Sequence, residues 1–358
     1  MARCYNFCAG PATLPQAVLE TARDEMVDYQ GSGMSIMESS HRGKQYSAVH
    51  EEAEANVREL MGVSDEYAVL FLQGGASTQF AYIPINLLGA GQTADYTNSG
   101  AWAAKAIKEA KLIGNVNVAA DCGKEIPTRV PTAEELQLTD GAAYLHITSN
   151  ETISGAQWKT FPTVAAPLVA DMSSDILSRP IDVNQFGLIY AGLQKNLGPS
   201  GAALVIIRKD LAERVPANTP TMFKYKTHIE QGSMFNTPPC FSIYILNLVT
   251  RWLKGQGLEN LFAQNAAKAA TLYAAIDAGD FYRGTAVCEC RSDMNVTWRL
   301  PSEELEATFI KQADAEGFKG LKGHRSVGGI RASIYNAFPP EGVDALVTFM
   351  KDFEARNG

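Results

Sequence analysis

The chain reads as an α/β protein: a mostly parallel sheet covered by helices, followed by a smaller α+β region. Three observations predict this. Strand-length apolar runs alternate with helix-periodic segments over about the first 250 residues. The runs are nearly continuous in apolar residues, as strands buried on both faces require. After Cys240 the order changes to consecutive helices, then a strand region, a helix, a strand and a last helix.

The elements follow in order. "KQYSAVHEEAEANVRELMG" places Tyr46, Val49, Ala53, Val57 and Leu60 on one helical face, with Gly62 suited to the C-terminal cap. "EYAVLFLQ" is a buried strand, and "GGASTQFAYIPINLLG" a turn and helix. "ADYTN" is a short strand and "AWAAKAIKEAKLIG" another helix; "PTAEEL" offers a capping box of Thr132 with Glu135. "AAYLHITSN", "LVADMSS", "LIYAG" and "AALVIIR" are further strands. "FSIYILNLVTRWLKG" and "LENLFAQNAAKAATLYAAIDAG" are helices, "VCECRSDMNVTWRL" a strand region, and "EGVDALVTFMKDFEARNG" the closing helix. The 358 residues suffice for about two domains, with a boundary near residue 260.

Composition narrows the function classes. A net charge of −8 argues against bulk attraction to nucleic acid or an acidic membrane. No apolar run approaches a bilayer's thickness, and "MARCYNFCAGPATLP" has no signal-peptide core. The six cysteines make no disulfide framework, and there is no paired CxxC for a metal. Cys288 and Cys290 alternate about Glu289, so both would face one side of a strand as structural thiols. A reducing cytoplasm is expected.

In parallel α/β sheets, ligands collect at the carboxyl ends of the strands. Four such ends carry polar signatures: "QGGAST", "SNETISG", "DMSSD" and "GLQKN". Taken singly, each has a bland reading: a plain turn, a helix cap at Asp171 or Ser173, a solvated Lys195. Together they should face one crevice. "GGAST" leads into a helix whose N-terminal N–H groups can approach an anion, with Ser77 and Thr78 adding hydroxyls. It is not a P-loop. "GAGQTA" precedes a strand instead of following one, so it reads as a helix stop.

An anion cradle, a buried acid and a lysine in a Gly-rich turn suggest pyridoxal phosphate, held at its phosphate and joined to the lysine as a Schiff base. An acid beside the ring nitrogen at about 4 Å contributes on the order of 4 kcal/mol at an effective dielectric of about 20. Trp102 in "NSGAWAAK" is the candidate for stacking on the ring.

These residues belong to longer motifs. "SHRGK", "GGASTQF", "ADYTNSGAW", "SNETISG", "ADMSS", "GLQKNLGPSG", "GSMFNTPP" and "KGHRSVGGIRASIYNA" together resemble the phosphoserine aminotransferase family, in order along essentially the whole chain. Departures are small: many relatives carry alanine where this chain has Leu193, and residues after the Gly-Gly pair vary. The resemblance implies the fold type I, class V architecture of pyridoxal-phosphate enzymes. Its large domain (16–260) has a seven-stranded sheet, and residues 1–15 and 261–358 form the small domain. It implies Lys195 as the Schiff-base lysine, Asp171 as the ring-nitrogen partner, Trp102 as the stacking residue and Thr152 as donor to the phenolic oxygen. Gln194, Ala76 and Ser77 would touch the phosphate, with Asn236 and Thr237 reaching it from the other subunit of a homodimer.

The resemblance also implies transfer of an amino group between glutamate and 3-phosphooxypyruvate, giving 2-oxoglutarate and O-phospho-L-serine. Two dianionic substrates need a bidentate arginine for the α-carboxylate and a basic cluster for the far anion. Arg331 fits the first role by resemblance; His41, Arg42, His324 and Arg325 fit the second. The same pocket would accept 4-phosphohydroxy-L-threonine. Two rival functions make other demands on the chain. A desulfurase on this scaffold needs a mobile nucleophilic cysteine, and none lies in an evident loop tip. A cofactor-carrying regulator needs a basic DNA-binding extension, for which the chain has no room.

Overall fold

A computed structural model of the chain describes residues 3–122 and 128–358. At its centre is a seven-stranded sheet of β1 (Tyr67–Gln73), β2 (Thr93–Asn98), β3 (Asn115–Asp121), β4 (Leu145–Thr148), β5 (Leu168–Asp171), β6 (Leu188–Gly192) and β7 (Ala202–Arg208). The order is β1-β7-β6-β5-β4-β2-β3. β7 runs antiparallel to both neighbours, and the remaining pairs are parallel. The carboxyl ends of β1, β2, β4, β5 and β6 therefore meet at one edge. The main helices are α1 (Gln16–Asp24), α2 (Lys44–Met61), α3 (Gly75–Leu87), α4 (Ala101–Ala110), α5 (Cys240–Gln256), α6 (Leu258–Ile276), α7 (Glu303–Ala315) and α8 (Pro340–Asn357).

The period-2 geometry of the strands sorts their side chains into two cores. Leu145, Ile147, Leu168, Ile189 and Leu204 join one face with the apolar stripes of α2 and α5. Val169, Leu188, Tyr190, Val205 and Ile207 join the other with Phe80, Ile83 and Ile107 of α3 and α4. Both faces are dry, which is why the strand sequences are nearly continuous in apolar residues. A separate cluster packs Phe7, Leu272, Trp298, Phe309, Phe349 and Phe353 around an antiparallel sheet of β8 (Arg283–Gly284), β9 (Asn295–Arg299) and β10 (Ile330–Ser333). Tyr5–Asn6 adds a short parallel pairing with Phe318–Lys319.

Local expectations met two departures. β3, "NVNVAAD", has asparagine at alternate positions and pairs only with β2, so an edge strand lacks the apolar run that marks a central one. Cys288 and Cys290 sit in a single 3-10 turn and not on a strand; their thiols are unpaired. The expected Thr132–Glu135 capping box forms, with Glu135 accepting the Thr132 N–H at 2.8 Å, at the start of the 3-10 turn Ala133–Glu135. Gly62 does close α2 in the left-handed conformation, at φ 64°.

One buried lysine holds the small sheet to the lysine-bearing turn. Lys268 on α6 is 3 % exposed and donates to the carbonyls of Ile334 (3.0 Å), Tyr335 (2.8 Å) and Phe338 (3.1 Å). In the same segment, the Asn336 N–H donates to Asn196 Oδ1 at 3.0 Å, next to Lys195. Burial pushes the Lys268 pKa down to about 7, while three carbonyl acceptors match the three N–H bonds of the ammonium form. Lys268→Met removes the donor from all three carbonyls, and of them Tyr335 O alone keeps a second one among the described residues, the Phe338 N–H at 2.9 Å. The variant's urea midpoint should fall by an amount equivalent to about 3 kcal/mol.

Candidate active site

The turn after β6 is closed by backbone: Leu193 N–H bonds Ala202 O at 3.1 Å, and Leu197 and Gly198 N–H both bond Leu193 O. This throws Lys195 inward. It is 8 % exposed, and its Nζ donates to Thr152 Oγ1 at 2.6 Å. The N-terminal segment crosses directly over it. A Cβ on Gly10 would lie 3.3 Å from Lys195 Cγ and 3.6 Å from Gln194 Cγ, and Gly10 has φ 151°. Burial lowers the Lys195 pKa to about 8; Asp171 and Glu151 oppose the shift and the Arg331 cation reinforces it. An amine that is half neutral near pH 8 is a competent nucleophile.

Asp171 ends β5, 5 % exposed, with Oδ1 accepting both the N–H (2.9 Å) and the hydroxyl (2.6 Å) of Ser173. Ser173 Oγ in turn accepts the Gly192 N–H at 3.0 Å, tying the ends of β5 and β6. Burial raises the Asp171 pKa, and the Lys195 charge is the strongest opposing influence. The lysine and the acid therefore face one another. Asp175, in the same motif, is already engaged by Arg179 at 3.6 Å and by Gln157 and Ser149. That leaves Asp171 as the acid available to a ligand.

Trp102, at the start of α4, sets its ring 5.4 Å from Lys195 Nζ. The indole N–H has no partner among the described residues. Arg331 on β10 donates from Nη1 to Thr152 O at 3.2 Å, so Thr152 touches both the lysine and the arginine. Burial lowers the Arg331 pKa. His324 bonds Ser326 Oγ through Nδ1 at 2.7 Å, and burial plus the charges of Arg331, Arg325 and Lys105 lower its pKa. Those four side chains share one positive neighbourhood. Lys105, whose Nζ is 4.0 Å from the Trp102 ring centre, was not anticipated. Its position one helical turn after Trp102 was the available signal. A cavity of about 1080 Å³ opens beside this cluster, walled by Gly100, Ile153, Ser154, Arg299, Val327 and Arg331.

The anion cradle is built by two left-handed glycines, Gly74 (φ 92°) and Gly75 (φ 69°), from which α3 starts. A Cβ on Gly74 would fall 2.0 Å from Thr78 Oγ1, so the turn admits only glycine there. Ala76 and Ser77 occupy the first turn, where N–H groups lack helical partners. Gln194 O accepts the Ala12 N–H at 2.9 Å. Thr237 O accepts Gln73 Nε2 at 2.7 Å, which sets the loop bearing Asn236 and Thr237 beside the end of β1. Among the described residues no hydrogen bond joins His41 or Arg42 to this cluster: His41 Nε2 has no partner there, and the Arg42 N–H donates to Ser40 Oγ.

This donor set fits pyridoxal phosphate: a neutralisable buried amine, a buried acid facing it, an unpartnered indole over the amine and a helix start for a phosphate. The Cys8 thiol, which feels the Arg331 charge, has its pKa raised by burial against that cation, the opposite of an activated nucleophile.

Known proteins agree. Residues 4–346 match the family model for class-V aminotransferases. The chain is 58 % identical over 359 residues to the phosphoserine aminotransferase of Niallia circulans, covering 99 % of each. It superposes on the solved phosphoserine aminotransferase of Bacillus circulans subsp. alkalophilus with a TM-score of 0.97, at 57 % identity and 99 % coverage of both. The pyridoxal-phosphate-bound phosphoserine aminotransferase of Trichomonas vaginalis gives 0.94 at 41 % identity, covering 98 % of this chain and 100 % of that one. The chain belongs to the class-V aminotransferases and, among them, to the phosphoserine aminotransferase family.

Proposed function

We propose that this chain uses pyridoxal phosphate to move an amino group between glutamate and 3-phosphooxypyruvate, forming 2-oxoglutarate and O-phospho-L-serine. The observation that carries the reading is the placement of Lys195 Nζ on Thr152, facing Asp171 and beneath Trp102. When bound, the cofactor supplies an aldehyde for the amine and a ring that takes up the electron pair left by a departing α-proton.

The chain's own residues do the rest. The start of α3, with Ala76, Ser77 and the Gln194 turn, holds a phosphate. Asp171, whose charge Lys195 and the two Ser173 bonds favour against burial, would face a ring nitrogen and favour positive charge there. Trp102 fixes the ring plane, and Thr152 places a hydroxyl beside both amine and ring. Once displaced, the Lys195 amine would take a proton from the substrate's α-carbon and return it to the former aldehyde carbon, a 1,3 shift. Arg331 grips the α-carboxylate, and His324 and Arg325 receive the far anion. Lowered towards neutrality, His324 would take a proton as the anion arrives.

A homodimer completes this site. His41, Arg42, Asn236 and Thr237 lie on surface loops beside the exposed apolar side chains of Met34, Met37 and Phe235, a pattern suited to a subunit interface. The large domain then runs over 16–260, with 1–15 and 261–358 as the small one. The change of core falls within α6, a few residues past that boundary: Leu261 still packs in the sheet's core, whereas Ala269 onward packs with the small domain's cluster. Residues 1 and 2 lie outside the described residues. All six cysteines are unpaired, which supports a cytoplasmic setting. No helix among the described residues is long and apolar enough to cross a membrane.

The test is a visible spectrum of the purified protein before and after glutamate. Conversion of the aldehyde-form band to the amine-form band, reversed by 3-phosphooxypyruvate and not by pyruvate, supports the reading; no spectral response to glutamate contradicts it. Arg331→Lys breaks the bidentate grip and the Thr152 bond. KM for both substrates should rise about 10- to 100-fold, with kcat changed less.

A further inference from the structure

Glu151 is fully buried, at 0 % exposure, beside the reacting centre, and the mechanism above gives it no task. It lies in a two-residue strand, Asn150–Glu151, paired with Ala156–Gln157. No lysine or arginine among the described residues bonds its carboxylate. Its Oε1 accepts the Ser99 hydroxyl at 3.2 Å and the Ala103 N–H at 3.4 Å, and Oε2 has no hydrogen-bond partner among the described residues. The carboxylate lies flat on the first turn of α4: a Cβ on Gly100 would fall 2.5 Å from both Cδ and Oε2.

A helix start is normally capped by a short polar residue next to it in sequence. Here α4 begins at Gly100, which has no side chain to offer, and the acceptor reaches in from a hairpin about 50 residues later. A buried carboxylate without a cation is an expensive way to satisfy N–H groups. What a local cap cannot do is tie α4 to the next residue in the hairpin. That residue is Thr152, whose hydroxyl accepts Lys195 Nζ at 2.6 Å and whose carbonyl accepts Arg331 at 3.2 Å. The dipeptide Glu151–Thr152 thus joins the tryptophan's helix, the lysine and the arginine.

We propose that Glu151 is a positioning residue that fixes the start of α4, and with it the Trp102 ring, relative to Lys195. It rests on the reading of Trp102 as the surface on which the cofactor ring stacks. Its carboxylate acts through the Trp102 helix and touches neither substrate nor cofactor.

The test uses the full-length protein reconstituted with pyridoxal 5′-phosphate, read by the visible circular dichroism of the bound ring and by its dissociation rate. Glu151→Ala should weaken the dichroic band and speed dissociation about tenfold, the size of effect a lost helix cap carries. Glu151→Gln, which keeps an oxygen on the N–H groups, should recover most of both. On a Trp102→Ala background, Glu151→Ala should add little, because the two act in series. If Glu151→Ala does not fold, Gly100→Ala displaces the carboxylate while keeping it and should give the same dichroic loss. Unchanged dichroism and dissociation in a folded Glu151→Ala or in Gly100→Ala overturn the proposal, as does full additivity with Trp102→Ala. Failure of the wild-type protein to bind the cofactor would instead overturn the functional reading beneath it.

Discussion

Lys195→Ala is expected to lower turnover by at least about 10⁴-fold, since both the covalent attachment and the proton carrier are lost. The protein should stay folded. Below about pH 8 the native chain keeps an ammonium out of water at position 195, and alanine relieves that penalty. The sign is checkable. The folded pKa is about 8 against 10.5 for an ordinary lysine, so the unfolded chain binds more protons between those values. Wild-type stability without cofactor should therefore rise with pH across that window, by about 3 kcal/mol in full. Lys195→Ala should lose this share of the rise, keeping the separate share that buried Lys268 contributes, and at pH 7 be at least as stable. Urea midpoints at pH 7 and pH 10 read both effects, and added small amines should restore part of the turnover. Wild-type-like turnover without amines would refute the assignment.

Asp171→Asn is the second large effect. The amide can still accept from Ser173, so the local bonds survive while the charge disappears. Losing an attraction on the order of 4 kcal/mol to a protonated ring should reduce kcat by about 10³-fold, with KM little changed. Lys195 also loses the anion that most opposes its lowered pKa, so its amine should titrate below about 8 in the variant without cofactor. Asp175→Asn is the control: it breaks an existing network with Arg179, Gln157 and Ser149, so it should lower stability more than kcat. A larger kcat loss in Asp175→Asn than in Asp171→Asn would exchange their roles.

The parts legible in the sequence were those with strong local physics. β4 to β7 are apolar on both faces, so their runs stood out, and the glycines about Lys195 and at 74 and 75 announced sharp turns. β3 was hidden because an edge strand with Asn115 and Asn117 carries no such run. The turn at Cys288–Cys290 was misread because alternation over three residues does not separate a strand from one turn of 3-10 helix. Within the site, Lys195 and Asp171 could be paired because each follows a strand of the same sheet. Glu151 stands inside "SNETISG", yet its function depends on contact with a helix start distant in sequence, which no spacing rule reports. Lys268 was hidden likewise, since its partners are backbone carbonyls and leave no trace in side-chain pattern.

The central claim is that a single amine, at position 195, holds the cofactor covalently. Reduction of the reconstituted protein with borohydride, followed by peptide mapping by mass spectrometry, tests it most directly. The account predicts one pyridoxyl group per chain, on Lys195, and none in Lys195→Ala. A label on Lys105 or Lys268, or stoichiometric labelling that persists in Lys195→Ala, would contradict it.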